Sequence, residues 1–370
     1  MRIALDATPA AVQHAGVGRY ARELLAALVT LPGNDEYLLA TSASDSDNQR
    51  LLAQLAPGRR RELRRLPLNP RWSTLAWHRL RVPVPVESLI GQFDVFHGTD
   101  FVVPPSRRPR VVTIHDLSFL LTPQFGEPDL VSYLTSAVPR AIDAATVVVT
   151  VSASVAAEVA AAFPAARGKL VAIPNGVRLP HSAHARRATD RPELLTVGTV
   201  EPRKNLNTLI QAMTIIRTTQ PAARLTIAGR IGWRADEIVA QIRAAEASGI
   251  VRFVESPDED SLEALYAEAT VAISPSFYEG FGLPVLEAMA RGVPVVTSDI
   301  PSLRETAGNA GCYADPDSAE SLAATILYLL DDATLRATLS SAGIARAQRF
   351  SWQETARRTR RAYELALGGR

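Results

Sequence analysis

Two carboxylates frame one short stretch of the chain, Ser274-Pro-Ser-Phe-Tyr-Glu279-Gly-Phe-Gly282-Leu-Pro284-Val-Leu-Glu287-Ala-Met-Ala-Arg-Gly292. The pattern predicts a strand ending at Ser274, a glycine-bearing loop, and a helix opened by Pro284 and closed before Gly292. Loop amides beside a helix N-terminus form an anion site. Glu279 falls in the loop and Glu287 one turn inside the helix. Acids so placed can meet different hydroxyls of one extended ligand, or be no more than a capping acid and a solvated one.

A second stretch, Leu195-Thr-Val-Gly198-Thr-Val-Glu201-Pro-Arg203-Lys204-Asn205-Leu206, puts two cations just before a helix. Cations there oppose the helix dipole. A bound diphosphate accounts for them; an exposed basic turn is the plainer alternative. Arginine occurs 38 times and lysine only at Lys169 and Lys204, so Lys204 stands out against the chain's habit. In Val111-Val-Thr-Ile-His115-Asp116-Leu, a histidine follows an apolar strand, with an aspartate adjacent to orient it; such a histidine is structural or catalytic. Gly16-Val-Gly18-Arg19-Tyr20 opens the first helix as half a dinucleotide fingerprint. It reads either as a glycine loop near a phosphate or sugar, or as a helix-entry turn. From Arg50 to Arg81 there are nine arginines, at 50, 59, 60, 61, 64, 65, 71, 79 and 81, against one acid, Glu62, with Trp72 and Trp77 among them. That strip suits anionic lipid headgroups, a phosphorylated acceptor or simply a solvated face. Nothing else resembles a nucleic-acid module, so no nucleic-acid partner is predicted.

The elements that must carry these residues alternate. Strands are predicted at Ile3–Asp6, Tyr37–Ala40, Phe93–His97, Val111–His115, Thr146–Val151 and Leu170–Ile173. After a polar, proline-flanked break from Pro180 to Pro192 they resume at Leu194–Gly198, Arg224–Ala228, Val251–Val254, Val271–Ser274 and Val293–Thr297. Helical patterns such as Arg19–Leu31 and Leu206–Ile216 lie between them. Two such series predict an α/β chain of two doubly wound, Rossmann-like domains facing a central cleft. The 370 residues suit two domains. Residues 1–185 carry 19 Lys+Arg and 15 Asp+Glu, a net +4; residues 186–370 carry 21 and 23, a net −2. The asymmetry implies separate duties. Cys312, the single cysteine, excludes a disulfide framework and a cysteine-rich zinc site, and no His-x3-His supports a bound metal. No signal peptide or membrane span is legible, which predicts a cytoplasmic protein, soluble or peripheral at the inner face of the membrane.

Taken in order, GVGRY, VTIHDL, IPNGV (Ile173 to Val177), VGTVEPRKN, SPSFYEGFGLPVLEAMARGVPVV and the closing Phe350-Ser-Trp352 with an arginine-rich helix resemble the retaining glycosyltransferases of family 4, with the GT-B fold. The resemblance covers nearly the whole chain. It implies an acceptor-binding domain over 1–185, a nucleotide-sugar domain over 186–352, and a final helix, 353–370, crossing back to the first. Glu287 would hold the ribose, and Arg203 and Lys204 the diphosphate and leaving-group charge. Glu279, with the amides of Gly280, Phe281, Gly282 and Leu283, would position sugar and phosphate. His115 would contact the sugar near the reacting carbon, and Gly18 would bring its backbone to the diphosphate. The catalytic set is thus His115, Glu279, Arg203 and Lys204. The family needs no metal and no cofactor beyond the donor substrate.

Many relatives carry an arginine soon after the Gly198 position, where this chain has Thr199-Val200. The Glu-Pro-Arg-Lys-Asn form resembles the mannosyl- and rhamnosyltransferase branch and favours GDP-mannose over UDP- or dTDP-sugars, with a glycan or lipid-linked acceptor. Retention without a placed nucleophile favours a front-face reaction. A pyridoxal-phosphate phosphorylase is poorly served by two lysines, and an oxidoreductase by the broken glycine fingerprint. A non-catalytic nucleotide-sugar-binding partner subunit is the alternative from another class.

Overall fold

The computed structural model describes residues 1–13, 16–55, 61–67, 77, 82–180 and 191–368. Its contacts divide the chain into two units, one of Met1–Leu120, Asp129–Gly176 and Trp352–Arg370, the other of Leu121–Pro128 and Val177–Ser351. These boundaries differ from those the sequence suggests. The join lies at Gly176/Val177, nine residues before 185, where the Val177 amide donates to the Phe350 carbonyl. Leu121–Pro128 groups with the second unit because Phe125 stacks on Phe277 at 5.1 Å and the Trp233 indole donates to the Phe125 carbonyl.

The first unit is built on seven strands: β1 (Arg2–Asp6), β2 (Glu36–Thr41), β3 (Arg61–Arg65), β4 (Val95–Gly98), β5 (Arg110–Ile114), β6 (Val147–Thr150) and β7 (Leu170–Ala172). They lie in the order β3-β2-β1-β4-β5-β6-β7. The second unit holds β8 (Glu193–Val197), β9 (Arg224–Gly229), β10 (Val251–Glu255), β11 (Val271–Ser274), β12 (Val295–Ser298) and β13 (Gly311–Ala314), in the order β10-β9-β8-β11-β12-β13. Every pairing among them is parallel. Parallel strands covered on both faces are continuous apolar runs, and Val147–Thr150 and Val295–Ser298 are buried at every residue. In each sheet the order of addition reverses once, between β1 and β4 and between β8 and β11. Ligands of doubly wound sheets bind beyond the carboxyl ends of the strands at that reversal.

β3 and β13 were not predicted. β3 has the sequence RELRR and forms an edge, pairing with β2 from Tyr37↔Arg61 to Thr41↔Arg65. Its charges discourage further strand addition. The helices between strands start where local chemistry satisfies their first amides: Ser44, Ser152, Asp258, Ser318 and Asp332 each accept from a first-turn N–H.

The last helix, Trp352–Ala366, belongs to the first unit. Its buried positions, among them Trp352, Ala356, Thr359 and Tyr363, recur at helical spacing on one face. Tyr363 Oη lies 2.8 Å from His97 Nδ1, Thr355 donates to the Pro174 carbonyl at 2.8 Å, and Arg360 pairs with Asp35 at 2.6 Å. His97, fully buried, also meets Thr113 Oγ1 at 2.8 Å, which in turn meets the Tyr20 hydroxyl at 3.0 Å. Burial, with the nearby His115, drives the His97 pKa down to about 3, so the ring is neutral.

Candidate active site

In the second unit the reversal point carries the cations and an acid on facing segments. After β8 the chain makes a short turn, Pro202–Lys204, and Asn205 takes a left-handed conformation (φ 56°) before the helix Leu206–Thr219. Asparagine tolerates that conformation better than most residues. Its buried amide also donates to the carbonyls of Pro275 (3.0 Å) and Pro316 (2.7 Å). The Phe277 amide donates to the Arg203 carbonyl, and Arg203 Nη1 to the Tyr278 carbonyl. The turn after β8 is thereby laced to the loop after β11.

Glu279 is the centre of this lacing. Lys204 Nζ reaches its Oε1 at 2.5 Å, Arg203 Nη1 its Oε2 at 3.1 Å, and Ser276 donates to Oε1 at 2.7 Å. Arg203 also pairs with the buried Glu201 at 2.6 Å. Burial alone would raise the Glu279 pKa; Lys204 and Arg203 overcome it and hold the carboxyl at about 2. The two cations therefore face two carboxylates, Glu201 and Glu279. Both cations thus find counter-charges within the protein, in a largely buried cluster.

Beyond Glu279, Gly282 stands at φ +99°, a conformation that favours glycine, and a Cβ there would lie 2.5 Å from Leu303 Cδ2. The helix Leu283–Ala290 follows, with Pro284 in its first turn as the sequence indicated. Phe281 is buried, its ring edge-on to Phe350 at 5.9 Å. Glu287 is also buried, at 2% exposure, and receives the Tyr266 hydroxyl at 3.3 Å. It is neither solvated nor a cap. Arg291 packs over the Tyr266 ring, 4.8 Å from its centroid, and bonds the Glu287 carbonyl and Glu263. Tyr266 and Glu263 carried no sequence signal, since both lie on a separate helix, Glu259–Glu268.

In the first unit the strand ends at the reversal carry Asp6, Asp100 and His115. Asp6 closes β1, Asp100 lies two residues past β4, and His115 follows β5. His115 Nε2 lies 2.8 Å from the Thr99 carbonyl. A carbonyl can only accept, so Nε2 carries the proton and Nδ1 the lone pair of the neutral ring. Burial lowers the His115 pKa against the opposing pull of Asp100, the Thr99 bond and Asp116, and the ring is wedged between Tyr20 (4.7 Å) and Phe101 (5.5 Å). The orienting group is thus the Thr99 backbone. Asp116, the sequence's candidate, accepts from the Ser118 amide at 2.9 Å instead. Asp6 is raised by burial to about 6, against hydrogen bonds from Thr8, and Asp100 is raised by burial while accepting from Gln13 at 2.9 Å. Both were missed, although acids at strand ends beside a reversal are a readable signal.

Gly18 has a structural reason to be glycine: a Cβ there would come within 2.0 Å of the Gln13 carbonyl oxygen. Close packing at a helix entry accounts for it without a ligand. Of the arginine strip, positions 59, 60, 71, 79 and 81, with Trp72, lie outside the described residues. Arg50 pairs with Asp47, Arg64 with Glu62 and Arg65 with Asp45, and Trp77 donates to the Val84 carbonyl. Among the described residues no three or more His, Cys, Asp or Glu side chains group to hold a metal ion, and no helix is long and apolar enough to cross a membrane.

Residues 14–180 match the family model described as Glycosyltransferase Family 4, and residues 180–346 that of Glycosyl transferases group 1. The chain is 30% identical to O-antigen chain mannosyltransferase B of Escherichia coli, over 99% of this chain and all of that one. The chain belongs to the family 4 glycosyltransferases. This glycosyltransferase is also 30% identical to the GDP-mannose:cellobiosyl-diphosphopolyprenol alpha-mannosyltransferase of Komagataeibacter xylinus, over 55% of its own length and 53% of that relative's. Among solved structures, sucrose-phosphate synthase from Thermosynechococcus elongatus superposes with a TM-score of 0.76 at 22% identity, covering 100% of the glycosyltransferase and 99% of that chain. Its two parallel-sheet units are those of the GT-B fold.

Proposed function

We propose that this enzyme transfers a hexosyl group, mannosyl from GDP-mannose foremost, to a glycan or lipid-linked acceptor, with retention at the anomeric carbon and without a metal. The observation that carries the reading is the Arg203–Lys204–Glu279 cluster at the reversal point of the second sheet. Two guanidinium- and ammonium-borne charges held in a largely buried site stabilise a departing diphosphate better than they would in water. The full-length mannosyltransferase relative, and the relative named for GDP-mannose and a diphosphopolyprenol, favour this donor and acceptor class.

In this reading Arg203 and Lys204 bind the diphosphate, and Glu279 and the amides of residues 280–283 set the sugar and phosphate. Glu287 takes the ribose hydroxyls, and Nδ1 of neutral His115 accepts a hydroxyl of the transferred sugar. The bond from anomeric carbon to diphosphate oxygen breaks as the acceptor oxygen bonds to the same face. The acceptor's proton passes to the leaving phosphate. The first unit serves the acceptor and the second the donor.

A thermal-shift series against GDP, UDP, dTDP and ADP and their common sugars, with EDTA present, tests this. GDP and GDP-mannose should raise the melting temperature, and the transferred mannose should be α-linked by NMR. A shift confined to UDP or dTDP would move the donor class, dependence on an added divalent ion would remove metal independence, and no shift at millimolar ligand would favour a partner role. The arginine and tryptophan content of residues 50–81 supports a peripheral contact with anionic membrane. Flotation with anionic and neutral liposomes reads this directly: the enzyme should rise with anionic vesicles alone, and failure to rise with either refutes the contact.

A further inference from the structure

Two hydroxyls of one helix hold the loop that carries Glu279. The helix Pro301–Ala307 follows β12, and its Ser302 and Thr306, one turn apart, are both buried. Ser302 Oγ lies 2.5 Å from the carbonyl oxygen of Glu279, and Thr306 Oγ1 lies 2.5 Å from that of Phe281. A carbonyl can only accept, so each hydroxyl commits its one proton to the loop. A helical threonine commonly returns that proton to its own helix, four residues back; Thr306 does not.

The consequence follows from the planar trans peptide. In such a unit the N–H points opposite to the C=O of the same peptide. With the Phe281 carbonyl drawn toward the Pro301–Ala307 helix, the amide of Gly282 is turned away from it, and the Glu279 carbonyl is held to the same helix. Gly282 abuts the same helix at Leu303. The helix is itself fastened: Arg346 bonds the carbonyls of Glu305 and Thr306 at its C-terminal end and stacks on Phe350, which contacts Phe281. Glu279 is therefore gripped twice, at its carbonyl by Ser302 and at its carboxylate by Lys204, Arg203 and Ser276.

We propose that Ser302 and Thr306 are positioning residues that preset the Glu279 loop for the phosphates of the donor, Ser302 through the Glu279 backbone and Thr306 through the Gly282 amide. This rests on the diphosphate reading of the preceding subsection and extends it to residues 23 and 25 positions further along the chain. Neither hydroxyl touches the ligand; they act through the backbone. Presetting matters because a displacement of about 1 Å in a binding group can cost about a hundredfold.

The test uses the full chain with Ser302→Ala, Thr306→Val, the double variant, Thr306→Ser and Lys204→Ala. Calorimetric titration measures whichever of GDP, UDP, dTDP and ADP binds the wild type most tightly, and the corresponding nucleoside. Each single removal should weaken the diphosphate about tenfold and the double about a hundredfold, with nucleoside affinity within twofold of wild type and Thr306→Ser near wild type. A general loosening would weaken nucleoside and diphosphate together and overturn the proposal. If Lys204→Ala weakens the diphosphate but the double variant does not, the clamp alone is refuted. If Lys204→Ala also has no effect, or none of the four binds, the diphosphate reading falls and the clamp with it. Should the double variant not fold, Ser302→Ala decides alone: tenfold supports the clamp, and no change refutes it.

Discussion

Lys204→Met lowers kcat by about 10²–10³-fold, measured with saturating donor, if Lys204 stabilises the departing diphosphate. The same change has a cost in stability. Lys204 Nζ is 2.5 Å from Glu279, and both side chains are largely buried, at 17% and 10% exposure. Breaking a buried pair from one side typically costs about 3–5 kcal/mol, because the remaining charge loses its partner. Here Arg203 and Ser276 still serve Glu279, which places the loss at the lower end of that range. The two effects separate in the double variant Lys204→Met/Glu279→Gln. Neutralising both partners restores much of the melting temperature, while kcat stays low. A Lys204→Met enzyme that keeps kcat within threefold of wild type would show that the lysine serves only the fold.

The second large effect is an acid sensitivity located in the first unit. His97 is held neutral, with a folded pKa of about 3 against an ordinary 6.5. Between those values the unfolded chain binds more protons than the folded one, so stability rises with pH there. The contribution is fully present above pH 6.5 and is lost as pH falls toward 3. From pH 7 to pH 5 the loss is about 2 kcal/mol. Asp6 works the other way: its pKa is raised to about 6, so its contribution improves as pH falls through that value. Glu279, at about 2, begins to lose its contribution only below its ordinary 4.5. The wild-type curve is a sum of these, and His97→Gln isolates one member. Denaturant titrations of both proteins at pH 7 and pH 5 should show the wild-type advantage shrink by about 2 kcal/mol. Parallel curves would mean that the buried ring has no such titration.

How much of this was readable beforehand depended on where each interaction lies along the chain. The β/α alternation was legible because strands buried on both faces must be apolar runs, as at Val147–Thr150 and Val271–Ser274. β3 was not, because an edge strand is recruited by backbone pairing with β2 and its RELRR sequence has no buried face to display. β13, Gly311–Ala314, is short, opens on glycine and is only partly buried. Arg203, Lys204 and Glu279 were legible because two strand-end segments each carry their own compact motif. The ring geometry of His115 was not, since its orienting partner is the Thr99 backbone, which any residue at that position would supply. Ser302 and Thr306 were equally silent. Serine and threonine on a helix are ordinary, and only the fold brings them to the Glu279 loop. Gly18 carried a second constraint that no spacing shows: a side chain there would run into the Gln13 carbonyl, brought close only by the fold.

The helix Trp352–Ala366 closes the first unit with residues that leave the ribosome long after that unit's sheet. Tyr363 meets His97, Thr355 meets Pro174 and Arg360 meets Asp35, so three regions of the early chain wait for one late segment. At about 5–20 residues per second, making the intervening stretch takes roughly ten to thirty-five seconds. During that interval the polypeptide's own second half can complete its core first, although it is translated later. The His97 ring and the surface that Tyr363 and Trp352 will cover stay open to water, and to any chaperone that attends nascent chains, until that helix has been made. Birth order and order of completion are therefore inverted in this protein.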